Sequence, residues 1–509
     1  MKFCLIVFGG KCVFKLAKGG DRVEHGQGRL HAVFNNTSVF RIAYIIDLFL
    51  CSIGYINVVA EVGKIFFFVW GLSIFINKYI LEYNIKKVNY YGWLLLFMAS
   101  NVVTLLIRGY SEGIWENILM LLNMPIIFFL FYGLHSESVT RSGRKRVFRE
   151  LYVLCNIFVV LSLAVNIASL ISLYAIGKSV TYSFGYLVVY ENRFTGIYFN
   201  PNLLAFSSFC SMVCCHMLTK KDFVLETAKK PLGIVRKVII LVSFVLNVAV
   251  ILLSDSNATM IIMICYAIMT LCYRAFGGKK LEFRVVFRRA AALLLSLALI
   301  SVGVFVFRSV FQTGTTYTIN TQEDIPNVFD DSDDELNKIT FEHENKNIDS
   351  GRLKLLSQGL NVLKHHPIFG VGKGNITKYG NHYNDNKMKY SDFHNGYLTI
   401  MVSSGMVGFL LFAMFAACLC RRVTKLLFSL RPPIFDDVFP CLFSFVFAYC
   451  VYSLFEKTLV FEVSFMITFF WLILGFAAAS MAKFEGDGYK EIAFATFEKL
   501  SGKSEDTAN

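Results

Sequence analysis

The fold of this chain is constrained most by a series of apolar stretches that recur along almost its whole length. A helix needs about 20 mostly apolar residues to cross the hydrocarbon core of a bilayer. Hydrophobic residues make up 55% of the chain and 51 residues are Phe, which is typical of a protein solvated by lipid. The sequence therefore predicts an all-α, polytopic membrane protein. Twelve spans are predicted, at Phe40–Ala60, Lys64–Leu81, Tyr90–Ile107, Ile114–Leu134, Leu151–Ile176, Pro201–Leu218, Val238–Ser254, Ala258–Tyr273, Ala290–Phe311, Gly396–Cys420, Phe435–Phe455 and Val460–Met481.

Basic residues in the connectors predict the orientation of these spans. Cytoplasmic connectors carry an excess of Lys and Arg close to the span ends. Alternate connectors contain such clusters, at Arg141–Arg146, Lys220–Lys230, Lys279–Arg289 and Arg421–Arg422. If these connectors are cytoplasmic, both termini are also cytoplasmic and the opposite set of loops faces outward.

This topology divides the chain into five parts. They are a cytoplasmic tail (1–39), spans one to nine (40–311), an extracytoplasmic loop domain (312–395), spans ten to twelve (396–481) and a second cytoplasmic tail (482–509). A loop of this length usually has a function, and its first half carries the acidic run Asp330–Glu335. A cleaved signal peptide is not expected, because the apolar run Phe3–Phe8 is too short.

Charge and cysteine content exclude several classes of protein. The formal charge is +14, but the bases lie between apolar spans and are not interleaved with aromatic residues, so nucleic-acid binding is not expected. Most of the 13 Cys lie inside apolar runs and show no metal-ligand spacing. Packing roles are therefore predicted for them, with no metal and no cofactor.

Two outward-facing segments place cations and one imidazole next to the membrane. The first runs from Arg193 to Asn202 and leads into the sixth predicted span. The second is the end of the long loop, from Ser350-Gly351-Arg352 to His394-Asn395-Gly396. Leucines at helical spacing predict an amphipathic helix that begins near Arg352 and ends before Pro367.

These residue types suit the transfer of a glycan from a polyprenyl diphosphate, a donor used outside the cytoplasm. Arginine forks stabilise the charge that grows on the departing diphosphate, and a neutral imidazole accepts the proton of the attacking hydroxyl. Arg193 and Arg352 are the predicted cations, and His394 is the predicted base. The scheme requires no metal. Further substrate contacts are predicted at Asn200, Asn202, Lys373, Asn395 and Glu456.

Each assignment has a structural alternative. Arg193 could snorkel to lipid headgroups, Arg352 could lie on an exposed helix face, and His394 could be an interfacial anchor. Asp47 is a further candidate, because a carboxylate inside a span is commonly functional. Other loop histidines compete for the base, at His343, His365, His366 and His382. The asparagines of the spans are expected to hydrogen-bond between helices, at Asn101, Asn123, Asn156, Asn166 and Asn247.

Several motifs between about Tyr190 and Gly475 occur in a characteristic order. They are Arg193-Phe-Thr-Gly196, Asn200-Pro201-Asn202, Leu252-Leu-Ser254, Gly351-Arg352, His366-Pro367-Ile-Phe-Gly370-Val-Gly372, His394-Asn395 and Gly405-Met-Val-Gly408. In this order they resemble the O-antigen ligase and O-antigen polymerase family of bacterial envelope enzymes. The resemblance implies a polyprenyl-diphosphate glycan donor, inverting transfer without a metal, and outer-loop Arg and His in the site.

The chain departs from this family at one outer hairpin. The family commonly carries an arginine there, and this chain has Asp255-Ser256-Asn257. The missing positive charge is either supplied by Arg193 and Lys373, or its role is absent from this chain. The departure favours a system-specific acceptor.

The leading hypothesis is a polymerase of O-antigen or capsular repeat units in the bacterial cytoplasmic (inner) membrane, with its site facing the periplasm or cell exterior. The alternative is a ligase that transfers the glycan to lipid A core or to a protein, and a third hypothesis is a polysaccharide flippase or transporter. Expected partners are an undecaprenyl-diphosphate-linked glycan donor, a glycan acceptor and the lipid bilayer, with a chain-length regulator as a further candidate.

Overall fold

The computed structural model of the protein is mostly helical. It describes residues 33–484 apart from 55, 109–112, 177–179, 183–184, 191–192, 229–230, 277–286, 293–294, 297–301, 304–305, 307–308, 311–351, 385–387, 389–391 and 430–436. The predictions for most of both tails (1–32 and 485–509), the acidic run, His343 and Ser350-Gly351 lie outside the described residues. The principal helices are α1 (Thr37–Leu50), α2 (Asn57–Phe75), α3 (Tyr91–Arg108), α4 (Ile114–Pro125), α5 (Arg141–Ile176), α6 (Pro201–Leu218), α7 (Lys221–Ala228), α8 (Ile234–Ser254), α9 (Asn257–Phe276), α10 (Arg352–His365), α11 (Ile376–Tyr383), α12 (Gly396–Ser429), α13 (Phe439–Tyr452) and α14 (Phe465–Phe484).

Within the described residues, eight helical segments are long and apolar enough to cross a membrane. They overlap eight of the twelve predicted spans, at Val59–Leu81, Tyr91–Arg108, Ile114–Ser138, Arg141–Leu173, Pro201–Leu218, Ile234–Ser254, Asn257–Arg274 and Gly396–Thr424. The last two predicted spans contain shorter apolar helices, at Phe439–Tyr452 and Phe465–Met481. The predicted span Ala290–Phe311 is only partly described. The protein is therefore a multi-helix membrane protein by the length and composition of its helices.

The predicted span Phe40–Ala60 is wrong as a single helix. Helix α1 ends at Leu50, and a turn precedes α2, which begins at Asn57. In that turn, the backbone N–H of Gly54 donates to the carbonyl of Ile197 at 2.9 Å. The turn thus pairs with the segment that leads into α6, which a continuous helix could not do.

The segment between α5 and α6 forms a three-stranded antiparallel sheet, which corrects the all-α expectation. Its strands are β1 (Val180–Tyr182), β2 (Gly185–Tyr190) and β3 (Arg193–Gly196), in that order. The segment is rich in Val, Tyr and Phe, which favour a pleated backbone. Arg193 is the first residue of β3 and pairs with Tyr190 of β2. The sheet thereby fixes the position of Arg193 just before α6.

Amide and hydroxyl side chains join α5, α6 and α8 inside the bundle. The Asn247 side chain of α8 accepts from Asn166 of α5 at 2.8 Å and donates to Ser211 of α6 at 2.9 Å. Asn166 also donates to Ser208 of α6 at 3.1 Å. These four side chains are fully buried. Lipid offers no hydrogen-bond partners, so these bonds supply partners for polar groups inside the bundle. The predicted interhelical role of Asn166 and Asn247 is confirmed.

Helix α12 is interrupted at Gly405, where φ is 65° and ψ is −175°. The loop 367–372 pairs with this break, so backbone groups released by the interruption regain partners. Four hydrogen bonds join the two segments, from Val371 to Val402 (2.9 Å), Gly372 to Ser403 (2.9 Å), Met406 to Pro367 (2.7 Å) and Val407 to Ile368 (3.2 Å). Gly370 and Gly372 also have positive φ values, of 67° and 81°. The glycine motifs on both sides of the break therefore serve one backbone junction.

The segment before α12 and the first turns of α12 share an apolar cluster that is separate from the main core of the helices. Its buried members are Val362, Val371, Ile376, Met388, Phe393, Leu398 and Val402. This cluster holds α10 and α11 against the part of α12 that precedes Gly405. It therefore fixes the end of the loop, where His394 lies. The predicted boundaries of the loop domain at 312 and 395 stay a prediction.

Candidate functional site

His394 lies two residues before the start of α12 and has a left-handed backbone conformation, with φ of 47°. The N–H of His394 donates to Oδ1 of Asp392 at 2.9 Å, which stabilises this sharp turn. Next to it, Oδ1 of Asn395 accepts from the N–H of Leu398 at 3.0 Å and so caps α12. The amide of Asn395 donates to the carbonyl of Leu454 at 3.1 Å. Asn395 therefore has structural partners at both ends of its side chain, and its substrate contact stays a prediction.

Two carboxylates face the imidazole of His394. Its Nδ1 lies 3.4 Å from Oε2 of Glu456 and 3.7 Å from Oδ1 of Asp392. The hydrogen bond with Glu456 raises the pKa of His394, aided by the charges of Asp392 and Glu456 and opposed by burial and Arg352. The imidazole is 31% exposed, so a ligand can reach it. This is the arrangement of a histidine oriented by a carboxylate.

Arg352 begins α10 and approaches the same carboxylate from the other side. Its Nη2 lies 4.0 Å from Oε1 of Glu456, and its guanidinium lies over the Phe455 ring at 5.8 Å from the centroid. A guanidinium and a helix N-terminus both attract anions. The Arg352 side chain is 32% exposed, so a ligand can reach this positive group.

Arg193 reaches the cluster through Asn202. Nε of Arg193 donates to the carbonyl of Ser254 at 3.0 Å, and Nη2 donates to Oδ1 of Asn202 at 2.7 Å. The Asn202 amide in turn donates to Oε1 of Glu456 at 3.3 Å. Predicted site residues from β3, α6, α10 and the His394 turn therefore meet around Glu456. The buried hydrogen bond from Asn247 to Ser211 joins α8 to α6, and this packing helps to keep Asn202 and Ser254 close together.

Asn200 and Lys373 have other partners. Asn200 is the N-cap of α6, and its Oδ1 accepts from the N–H of Asn202 at 2.7 Å. Lys373 is almost buried and pairs with Glu116 of α4 at 3.3 Å. Neighbouring Gly374 donates to Oδ1 of Asn117, at the wall of a small cavity between α3, α4 and the loop. The predicted substrate contacts of Asn200 and Lys373 stay predictions.

In the hairpin Asp255-Ser256-Asn257, the serine takes part in the network. Asp255 has a left-handed backbone with φ of 50°, and this places Ser256 toward α6. The Ser256 hydroxyl donates to Oδ1 of Asn202 at 2.9 Å. The same asparagine oxygen therefore accepts from both Ser256 and Arg193. The hairpin contributes to the site by orienting Asn202.

Sequence reasoning missed Asp392 and Lys457. Oδ2 of Asp392 pairs with Nζ of Lys457 at 2.9 Å, and Asp392 is 4% exposed. A signal was present, because Asp392 stands two residues before His394 and Lys457 directly follows Glu456. Neither spacing reveals that the two turns lie against each other.

The arrangement can orient an imidazole for proton transfer next to an exposed guanidinium. Within the part of the chain that the structure describes, no group of three or more His, Cys, Asp or Glu could hold a metal ion. The chemistry that these residues offer is proton transfer at His394 and anion stabilisation at Arg352.

Comparison with known protein families gives a match to the family described as O-Antigen ligase over residues 242–413. Comparison with curated proteins gives no match. The matched segment contains Arg352 and His394, whereas Arg193, Asn202 and Glu456 lie outside it. The resemblance inferred from the motifs is confirmed over this segment. Residues 242–413 are thus similar to the O-antigen ligase family, in agreement with the resemblance that the motifs of this segment carry.

Proposed function

We propose that this protein transfers a glycan from a polyprenyl diphosphate to a second sugar at the outer surface of the cytoplasmic membrane. The observation that carries the proposal is the junction of His394, Arg352 and Asn202 on the single carboxylate of Glu456. The family match supports glycosyl transfer as the reaction class.

In the proposed reaction, Nδ1 of His394 donates a hydrogen bond to Glu456, which leaves Nε2 as the proton acceptor. The hydroxyl of the acceptor sugar attacks the anomeric carbon of the donor and gives its proton to Nε2. The bond between that carbon and the diphosphate oxygen breaks as the new glycosidic bond forms. Attack opposite the leaving group inverts the configuration at this carbon.

The leaving diphosphate gains negative charge, which Arg352 stabilises from the N-terminus of α10. Part of the Arg352 charge is offset by Glu456 at 4.0 Å. Arg193 acts on the site through Asn202. Its Nε donates to the carbonyl of Ser254, and its Nη2 donates to Oδ1 of Asn202. In this proposal, Arg352 contacts the diphosphate directly and Arg193 orients Asn202.

The leading acceptor is another lipid-linked repeat unit, which makes the protein a polysaccharide polymerase. The hairpin Asp255-Ser256-Asn257 favours it, because this departure alters the surface beside the donor site. The second candidate is a ligase that transfers the finished glycan to lipid A core or protein. The match to the O-antigen ligase family favours that alternative.

Deletion of the gene, followed by electrophoresis of the surface glycan, distinguishes the two acceptors. Loss of the polymer ladder with single-repeat products identifies a polymerase, and accumulation of unattached long polymer identifies a ligase. Complementation with His394→Ala should fail. His365→Ala, which removes an exposed imidazole at the C-terminal end of α10, should restore the glycan. An unchanged glycan in the deletion strain would exclude both functions.

A further inference from the structure

We propose that Asp392 and Lys457 form a positioning pair that holds His394 against Glu456. The inference rests on the proposed function, because it assigns these residues a role only if His394 is the base. Neither residue contacts the reacting atoms in this proposal. Both act through the position and charge of the imidazole.

The geometry of Asp392 supports this role. One oxygen accepts the N–H of His394 at 2.9 Å, and the other pairs with Lys457 at 2.9 Å. A buried carboxylate is stable only with charged or hydrogen-bonding partners, and Asp392 has one on each oxygen. Its location is therefore set from both sides, by the backbone of His394 and by the ammonium of Lys457.

Two neighbouring residues in the turn between α13 and α14 contact the turn that contains Asp392 and His394. Glu456 contacts the imidazole at 3.4 Å, and the adjacent Lys457 contacts Asp392 at 2.9 Å. The N–H of Gly396 adds a backbone bond to Ser453 at 2.7 Å. These bonds compensate the strain of the left-handed backbone at His394, which a non-glycine residue rarely adopts. The imidazole is then held in one orientation before a substrate binds.

Charge gives the pair a second effect. The described charged groups that act on His394 are Asp392, Glu456 and Arg352, with Lys457 behind Asp392. Burial raises the pKa of Asp392, but the nearby charges of Lys457 and His394 lower it by a larger amount. The pKa of Asp392 is therefore below its usual value, and the carboxyl stays ionised. Burial lowers the pKa of Lys457, but Glu462 and Asp392 raise it above its usual value. Lys457 thus offsets the pull of Asp392 on the imidazolium and leaves Glu456 as the dominant partner.

The two residues should therefore shift the pH dependence of the reaction in opposite directions. A base acts when neutral, so activity falls as acid protonates His394. Asp392→Asn removes an anion that favours the imidazolium, which lowers the His394 pKa. The acid limb of the pH–rate profile, where activity falls as His394 is protonated, then moves to lower pH. Lys457→Gln removes the cation that offsets Asp392, which moves the limb to higher pH. A charge within about 4–6 Å shifts a pKa by about one unit or more.

The test measures the transfer rate against pH in the full-length protein in detergent micelles, with a synthetic polyprenyl-diphosphate-linked repeat unit as donor and acceptor. The limbs of Asp392→Asn and Lys457→Gln should move apart by about one pH unit or more, and the double variant should return toward wild type. Lys364→Gln, which removes an exposed cation from α10, is the matched control and should not move the limb.

Identical limbs in both single variants and wild type would overturn the positioning role, even if their rates fell. If Asp392→Asn does not fold, Lys457→Gln against Lys457→Arg decides, because only loss of the charge should raise the limb. Wild-type protein and His394→Ala together separate this inference from the proposed function. Absence of transfer by the wild-type protein refutes the proposed function, and full activity of His394→Ala refutes the role of His394 as base. An inactive His394→Ala with unmoved limbs refutes the pair alone.

Discussion

Oε2 of Glu456 lies 3.4 Å from Nδ1 of His394, although 62 residues separate them in the chain. The contact joins the turn after α13 to the turn before α12. It also brings the carboxylate within reach of Arg352 and Asn202, at 4.0 and 3.3 Å. Glu456 is therefore the residue that connects the cations, the amide and the imidazole of the site.

Glu456→Gln should lower activity and shift its pH dependence. A hydrogen bond to a charged group contributes about 1.5–3 kcal/mol, so a loss of roughly tenfold to a hundredfold in rate is expected. The bond raises the His394 pKa, so its removal lowers that pKa and moves the acid limb to lower pH. Rate against pH with purified protein checks both effects. Glu82→Gln, an exposed carboxylate beyond α2, is the control, and equal profiles for the two variants would contradict the role of Glu456.

Arg352→Ala should reduce turnover strongly, since it removes the exposed cation next to His394. Arg352→Lys should recover part of the rate, because lysine keeps the charge but loses the two-pronged donor geometry. Lys354→Ala lies on the exposed face of the same helix and should retain wild-type turnover. Steady-state rates with a lipid-linked donor check the order of the three variants. Similar rates for Arg352→Ala and Lys354→Ala would place Arg352 outside the site.

Asn202→Ala and Asn200→Ala should differ in what they change. Asn202 links Arg193 and Ser256 to Glu456, so its removal should lower the rate. Asn200 caps α6, and loss of a cap costs about 1 kcal/mol of stability. Thermal unfolding and activity, measured on both variants, separate the two roles. A large rate loss in Asn200→Ala at unchanged stability would instead support its predicted substrate contact.

Gly405→Ala should destabilise the protein. Its backbone φ is 65°, and a Cβ there would collide with the carbonyl of Ile368 in the paired loop. A left-handed non-glycine residue costs about 1–3 kcal/mol, so a lower thermal midpoint in detergent is expected. Gly233→Ala, where a Cβ would meet nothing within 4 Å, is the matched control. A midpoint for Gly405→Ala as high as that of Gly233→Ala would contradict the backbone junction.

Features set by local composition were predictable from the sequence. Apolar length identified eight helices that could cross a membrane, and helical spacing of leucines identified α10. Residue chemistry and motif order singled out Arg352 and His394, which lie 4.0 and 3.4 Å from one carboxylate. These signals depend on neighbours in the chain, so one sequence suffices.

Features that depend on distant pairing were not predictable. The loop 367–372 pairs with the break at Gly405, and the turn after α1 pairs with Ile197. Lys373 was assigned to the substrate from its outer position, but Glu116 of α4 lies 3.3 Å away. One sequence gives no record of which segments meet. The Asp392–Lys457 pair escaped notice for the same reason.

In the proposed reaction, His394 removes the proton from the attacking sugar hydroxyl. Its most direct test is the single-turnover rate of purified His394→Ala with a polyprenyl-diphosphate-linked glycan, compared with wild type at equal folded protein. Loss of a positioned base predicts a rate lower by about a hundredfold to ten-thousandfold, with thermal stability nearly unchanged. A wild-type rate in His394→Ala would show that His394 is not the base.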